Sequence, residues 1–202
     1  HLGIPILAEP SSGLCDLPSW LPHGPLVAER LSRDLLERQV ATLEQVIVLG
    51  RPTLSREVTE LLSLMGTPGT AKIVVSASDQ WQDASGTATA VVPDLLPDEQ
   101  PLRDGLAESR RVWLQQCRQI AAEMEMIVRG QSRGLNHLGV SRMIWRHSED
   151  VNLWLAASNV VRSFDLGASA PGLQRVFSNR GLAGIDGTIS SALGLAAETG
   201  RP

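Results

Sequence analysis

The residues best suited to chemistry lie between positions 175 and 197, in the string RVFSNRGLAGIDGTISSALGLAA. An apolar pair, Val176 and Phe177, runs into Ser178-Asn179-Arg180, and a turn holding Gly181, Gly184 and Gly187 follows. Residues 188–197 are then small and apolar at helical spacing. Strand, glycine turn and small-residue helix make the sequence pattern of a phosphate or diphosphate cradle. Glycine lets the backbone approach the anion, and a helix amino end offers free N–H groups with partial positive charge. The same pattern closes ordinary strand-to-helix turns in α/β domains, so spacing alone does not choose between the two.

The elements that must position this turn alternate along the chain. Residues 2–10 read as a short buried strand ending at Pro10. Residues 11–24 form a Ser-, Gly- and Pro-rich loop with Trp20 and His23, and a lone loop histidine is expected to be solvated. Helical periodicity follows over 25–39, a strand over 45–50, a helix over 54–65 and a strand over 71–76. Such alternation predicts parallel βαβ units. Residues 77–105 are turn-rich around one apolar patch, 89–92, and read as a last edge strand and an interdomain linker. A long helix is expected over 106–128, where Met124 and Met126 read as packing residues, and a second over 135–145. Residues 151–156 are a strand that runs into Ser158–Arg162 and the opening of a helix.

Composition removes several function classes. A net charge of −4, with five Trp, two Phe and no Tyr, gives neither the basic surface nor the stacking platform of a nucleic-acid binder. No apolar run reaches the ~18 residues of a membrane span, so no membrane insertion is expected and the reading is cytoplasmic. Cys15 and Cys117 are far apart without a CxxC pattern, which predicts free thiols. His137 and His147 lack metal-ligand spacing. Lys72 is the one lysine among 18 basic residues, an imbalance that reads as base composition rather than chemistry.

The string SNRGLAGIDGTISSALGLA, with ASNVVR upstream of it, resembles the diphosphate-binding domain of thiamine-diphosphate enzymes. Within that superfamily it is most similar to the 2-succinyl-5-enolpyruvyl-6-hydroxy-3-cyclohexene-1-carboxylate synthases of menaquinone biosynthesis. The resemblance implies an α/β architecture in two parts. Residues 1–105 would be a parallel-sheet, Rossmann-like central domain truncated at its N-terminus. Residues 106–202 would be a linker helix and the first part of the thiamine-diphosphate-binding domain.

The family's reaction, by implication, decarboxylates 2-oxoglutarate and adds the resulting succinyl carbanion to isochorismate, in a homodimer or homotetramer. Its cofactors would be thiamine diphosphate with Mg²⁺ or Mn²⁺. The resemblance assigns Ser158, Arg162 and Arg180 to the far carboxylate of the oxoglutarate-derived group. Arginine suits that task because it is permanently charged and matches a carboxylate's geometry. Ile185 would prop the cofactor from below, and Gly184 and Asn179 would line its cradle. Arg56 would reach the second substrate, although Arg51 fits that role as well, and an ion pair of Arg56 with Glu60 is a third reading. The resemblance places the activating glutamate and the metal motif outside these 202 residues. No catalytic residue and no metal ligand is therefore expected within them, and the chain alone is expected to be inactive. A different class stays open beside this one: a non-catalytic α/β module that holds a nucleotide or other phosphate ligand in its glycine turn.

Overall fold

Apolar runs bounded by turn residues become strands, and the periodic stretches between them become helices. The computed structural model describes residues 3–37, 43–66, 69–78, 82–95, 104–169, 175–179 and 184–201. They divide into two compact units, Pro25–Leu106 on one hand and His1–Gly24 with Ala107–Pro202 on the other.

The first unit is built on three parallel strands in the order β1-β2-β3: β1 Gln45–Leu49, β2 Ala71–Val75 and β3 Ala90–Val92. Helix α1, Gly24–Leu36, precedes them, and α2, Arg56–Ser63, links β1 to β2. α2 starts where it does because Ser55 caps it, its Oγ accepting the Val58 N–H at 3.2 Å. Its chain leaves through Gly66, at φ +79, where a Cβ would overlap the Thr87 carbonyl. Only glycine fits there.

β2 carries a charge inside. Lys72 is 1% exposed, and its Nζ, with three N–H groups to donate, lies within hydrogen-bond reach of Asp83 Oδ1 at 2.6 Å, Thr87 Oγ1 at 3.0 Å, Leu62 O at 3.3 Å and Ser85 Oγ. Burial raises the Asp83 carboxyl, but hydrogen bonds from Lys72, the Ala88 N–H and Ser85 outweigh it and hold the group at about 2. The one lysine is therefore a structural ion, not an accident of composition. A compact ammonium can meet acceptors on several sides of one point, which a planar guanidinium cannot.

The second unit pairs β4, Asn152–Leu155, with β5, Arg175–Ser178, in parallel, and α5, Asn159–Gly167, lies between them in sequence. Helix α3, Asp104–Gln131, buries Leu114, Cys117, Ala121, Met124 and Val128 along one face at three- and four-residue spacing. Met126, expected to pack, is exposed instead, because it stands off that face. Helix α4, His137–Arg146, is capped by Asn136, and α6, Thr188–Thr199, ends the described chain. Trp145 packs between Trp20 and Phe164, with ring centroids 6.4 and 6.5 Å away.

Residues 1–24 belong to this second unit, whereas the sequence-based division at 105/106 puts them with the central sheet. The strand expected over 2–10 does not form. What remains is one parallel bridge, Ile6 to Trp20, with Ile6 N–H bonded to Ser19 O and Leu21 N–H to Ile6 O. Pro10 opens a short 3-10 turn, Pro10–Ser12, which ends the extended stretch.

Cys15 and Cys117 are free and buried. Burial pushes both thiols up to about 12, with the Asp165 charge adding to the effect on Cys15. Iodoacetamide at about pH 8 is expected to alkylate them at least ~100-fold more slowly in the folded chain than in urea, because the thiolate is the nucleophile. Equal rates, followed by mass spectrometry, would contradict this burial. No helix among the described residues is long and apolar enough to cross a membrane.

Candidate functional site

Parallel pairing puts the carboxyl ends of β4 and β5 side by side, since Leu155 is in register with Ser178. The two sequence-predicted strings leave the sheet from that shared edge. This is where open α/β sheets bind ligands.

From β4 the chain turns sharply into α5. Ser158 is the N-cap, at φ 70 and ψ −133, a conformation that side-chain-bearing residues rarely take. Its hydroxyl makes no capping hydrogen bond, and the residue is exposed. Holding a serine so costs about 1–3 kcal/mol, which the packing of α5 must offset. Arg162 stands one turn further along, exposed, and no ion pair joins it to a described residue. A surface salt bridge, the commoner fate of an arginine, has no partner for it among the described residues.

From β5 the chain passes Ser178, whose buried Oγ has no hydrogen-bond partner among the described residues, to half-buried Asn179. Arg180 and residues 181–183 lie outside the described residues, so its predicted role has no geometry here. The chain resumes at Gly184, which has open space where a Cβ would be. Ile185 follows, an aliphatic side chain 71% exposed. Gly187 caps α6 without any side-chain bond, and a Cβ there would come within 4.0 Å of Asn179 Nδ2. An uncapped helix amino end beside an amide donor suits an anion. α6 buries none of its residues, and with Asn152 and Trp154 it borders an apolar concavity of about 340 Å³.

Arg56 is the exposed first residue of α2 and Arg51 is exposed in the turn after β1, both in the other unit. Arg56 forms no ion pair with Glu60 among the described residues. No group of three or more His, Cys, Asp and Glu that could hold a metal occurs among the described residues.

His23 overturns its sequence reading. Far from solvated, it is fully buried, with Nδ1 2.6 Å from Leu166 O and Nε2 2.8 Å from Glu125 Oε2. Glu125 also accepts a bidentate fork from Arg142, at 2.9 and 2.6 Å. Partial burial raises the Glu125 carboxyl, but the hydrogen bonds and charges of Arg142 and His23 bring it below its ordinary value. The partners of His23 are 102 and 143 residues away, so no local pattern could have revealed them.

No protein-family model matches the chain. Individual proteins do. The chain is 35% identical over 201 residues to the 2-succinyl-5-enolpyruvyl-6-hydroxy-3-cyclohexene-1-carboxylate synthase of Renibacterium salmoninarum, covering 99% of this chain and 34% of that protein. It is 36% identical over 202 residues to the enzyme of the same name from Kineococcus radiotolerans, covering 98% and 34%. With that of Rhodococcus opacus it shares 33% over 211 residues, covering 98% and 33%. The chain spans about a third of the length of these curated relatives. Along almost all of its own length, the chain is a homologue of the 2-succinyl-5-enolpyruvyl-6-hydroxy-3-cyclohexene-1-carboxylate synthase family.

Proposed function

We propose that the protein carrying this chain joins a four-carbon unit, left when 2-oxoglutarate loses CO₂, to isochorismate on the route to menaquinone. The observation that carries the proposal is the common edge of β4 and β5, where both family-like strings emerge in register within a chain homologous to such synthases. Thiamine diphosphate, when bound, would supply the electron sink for loss of CO₂. The residues present fit it. Open space at Gly184, the uncapped start of α6 and the Asn179 amide suit a diphosphate, and exposed Ile185 offers an apolar support.

Side chains of this chain hold the substrates. Arg162 and Arg180 bind the far carboxylate of 2-oxoglutarate, and Ser158 donates its hydroxyl to the same group. Arg56 or Arg51 binds a carboxylate of the second substrate. A divalent metal, Mg²⁺ or Mn²⁺, would take its ligands from outside the described residues. The protein works in the cytoplasm as a dimer or tetramer of identical subunits.

The test is consumption of 2-oxoglutarate and isochorismate by the protein carrying this chain, supplied with thiamine diphosphate and Mg²⁺. CO₂ release that depends on isochorismate is expected. Ile185→Ala is expected to lower kcat at least ~10-fold with cofactor affinity within about threefold, because a misplaced cofactor loses orientation. Absence of CO₂ release, together with tight nucleotide binding that Gly187→Val abolishes, would replace the proposal with the non-catalytic phosphate-binding module.

A further inference from the structure

We infer that His23, Glu125 and Arg142 are positioning residues for Ser158 and Arg162, clasping the carboxyl end of the helix whose amino end carries that pair. The inference rests on the reading of Ser158 and Arg162 as substrate contacts. The last carbonyls of a helix have no partner within it. In α5 two of them are met by side chains from elsewhere in the unit: His23 Nδ1 reaches Leu166 O at 2.6 Å, and Arg142 Nη1 reaches Gly167 O at 3.4 Å. One turn earlier Ser141 Oγ donates to Ser163 O at 2.9 Å. Gly167 has no room for a Cβ, which would meet Ser141 Oγ at 2.7 Å, so α4 and α5 touch closely.

Arg142, with His23 beside it, also sets a positive charge against the negative pole of the helix. Glu125, between them, holds both in place through His23 Nε2 and the Arg142 fork. Both ring nitrogens of His23 face oxygen acceptors. Glu125 on α3 and Arg142 on α4 are charged side chains bonded into this junction. His23 itself sits at φ +59, unusual for a side-chain-bearing residue. A helix of nine residues is a rod of roughly 13 Å. Fixing one end fixes the other, and the other end holds Ser158 in its strained turn and Arg162 beside it.

Hydrogen exchange on the full chain tests the clasp without any ligand. In His23→Gln, amides 159–167 are expected to exchange at least about tenfold faster, while α3 amides 112–124 keep their protection. Glu125→Gln, which keeps shape but removes the shared anion, should give the same local loss if His23→Gln does not fold. Unchanged α5 protection, or a loss spread evenly over α3, α4 and α5, overturns the clasp. In the active protein, His23→Gln should lower kcat/KM for 2-oxoglutarate at least about tenfold through KM. Loosened α5 amides with unaltered kinetics in both His23→Gln and Arg162→Ala would instead reject the substrate reading and leave the clasp standing.

Discussion

Replacing Lys72 with methionine is expected to cost the unit of residues 25–106 about 3–5 kcal/mol, because it strands the buried Asp83 carboxylate. Both side chains are almost completely buried, at 2% and 3% exposure. The loss is larger than that of the ion pair alone, since Ser85, Thr87 and Leu62 O lose a donor at the same time. The double variant Lys72→Met with Asp83→Asn should recover part of the loss, because no unpaired charge is left inside. Urea unfolding followed by circular dichroism measures both, and a single-variant loss under about 1 kcal/mol would show that the cluster is wet and weak. The pH dependence follows from Asp83, whose carboxyl falls from 3.8 to about 2 on folding. A depressed carboxyl contributes stability that is fully present above 3.8 and lost as pH falls toward about 2, some ~2 kcal/mol in all. In Lys72→Met that acid loss should shrink or reverse, because the ammonium that holds the carboxyl below 3.8 is gone while burial still raises it.

What could be read from the sequence was local. Short apolar runs set off by turn residues mark strands, so 45–49, 71–75, 90–92, 152–155 and 175–178 stood out from their neighbours. The buried stripe of α3 likewise recurs within single turns. The turns that carry Ser158, Asn179, Gly184 and Ile185 were legible for the same reason, as strand-to-helix junctions within contiguous strings, while the roles of those residues rest on the family resemblance alone. Contacts made across the fold left no such trace. His23 looked like any loop histidine until folding brought Glu125 and Leu166 O to its ring. Lys72 looked like an isolated residue because its partners arrive on the loop before β3. The N-terminal stretch had the apolar content of a strand, yet Gly3 at φ +64 and Pro10 at the start of a 3-10 turn leave room for one bridge. Backbone geometry was equally hidden. Nothing in the letters ASNVVR says that Ser158 takes φ 70, a conformation imposed by the turn between β4 and α5.

Arg180→Ala is expected to lower kcat/KM for 2-oxoglutarate at least about thirtyfold, roughly 2 kcal/mol, in the protein carrying this chain. The size follows from what each fate of an arginine is worth. An exposed salt bridge contributes under ~1 kcal/mol, whereas removing one partner of a desolvated charged contact costs about 2–5 kcal/mol. Kinetics separates the two by well over a factor of ten. Arg162 supplies the structural side of the case, since it stands exposed on the first turn of α5 and forms no ion pair with a described residue. A guanidinium so placed is available to an incoming carboxylate without first breaking an ion pair. Arg162→Ala should therefore show the same selective loss, and pyruvate, which lacks the distal carboxylate, should lose much less of whatever activity it supports. If both arginines hold one group, the double variant will be less than additive, because the first substitution already loosens that carboxylate. Equal losses for 2-oxoglutarate and pyruvate would assign the pair to cofactor placement. No loss with either acid would leave Arg162 and Arg180 as surface charges and remove the carboxylate from this edge of the sheet.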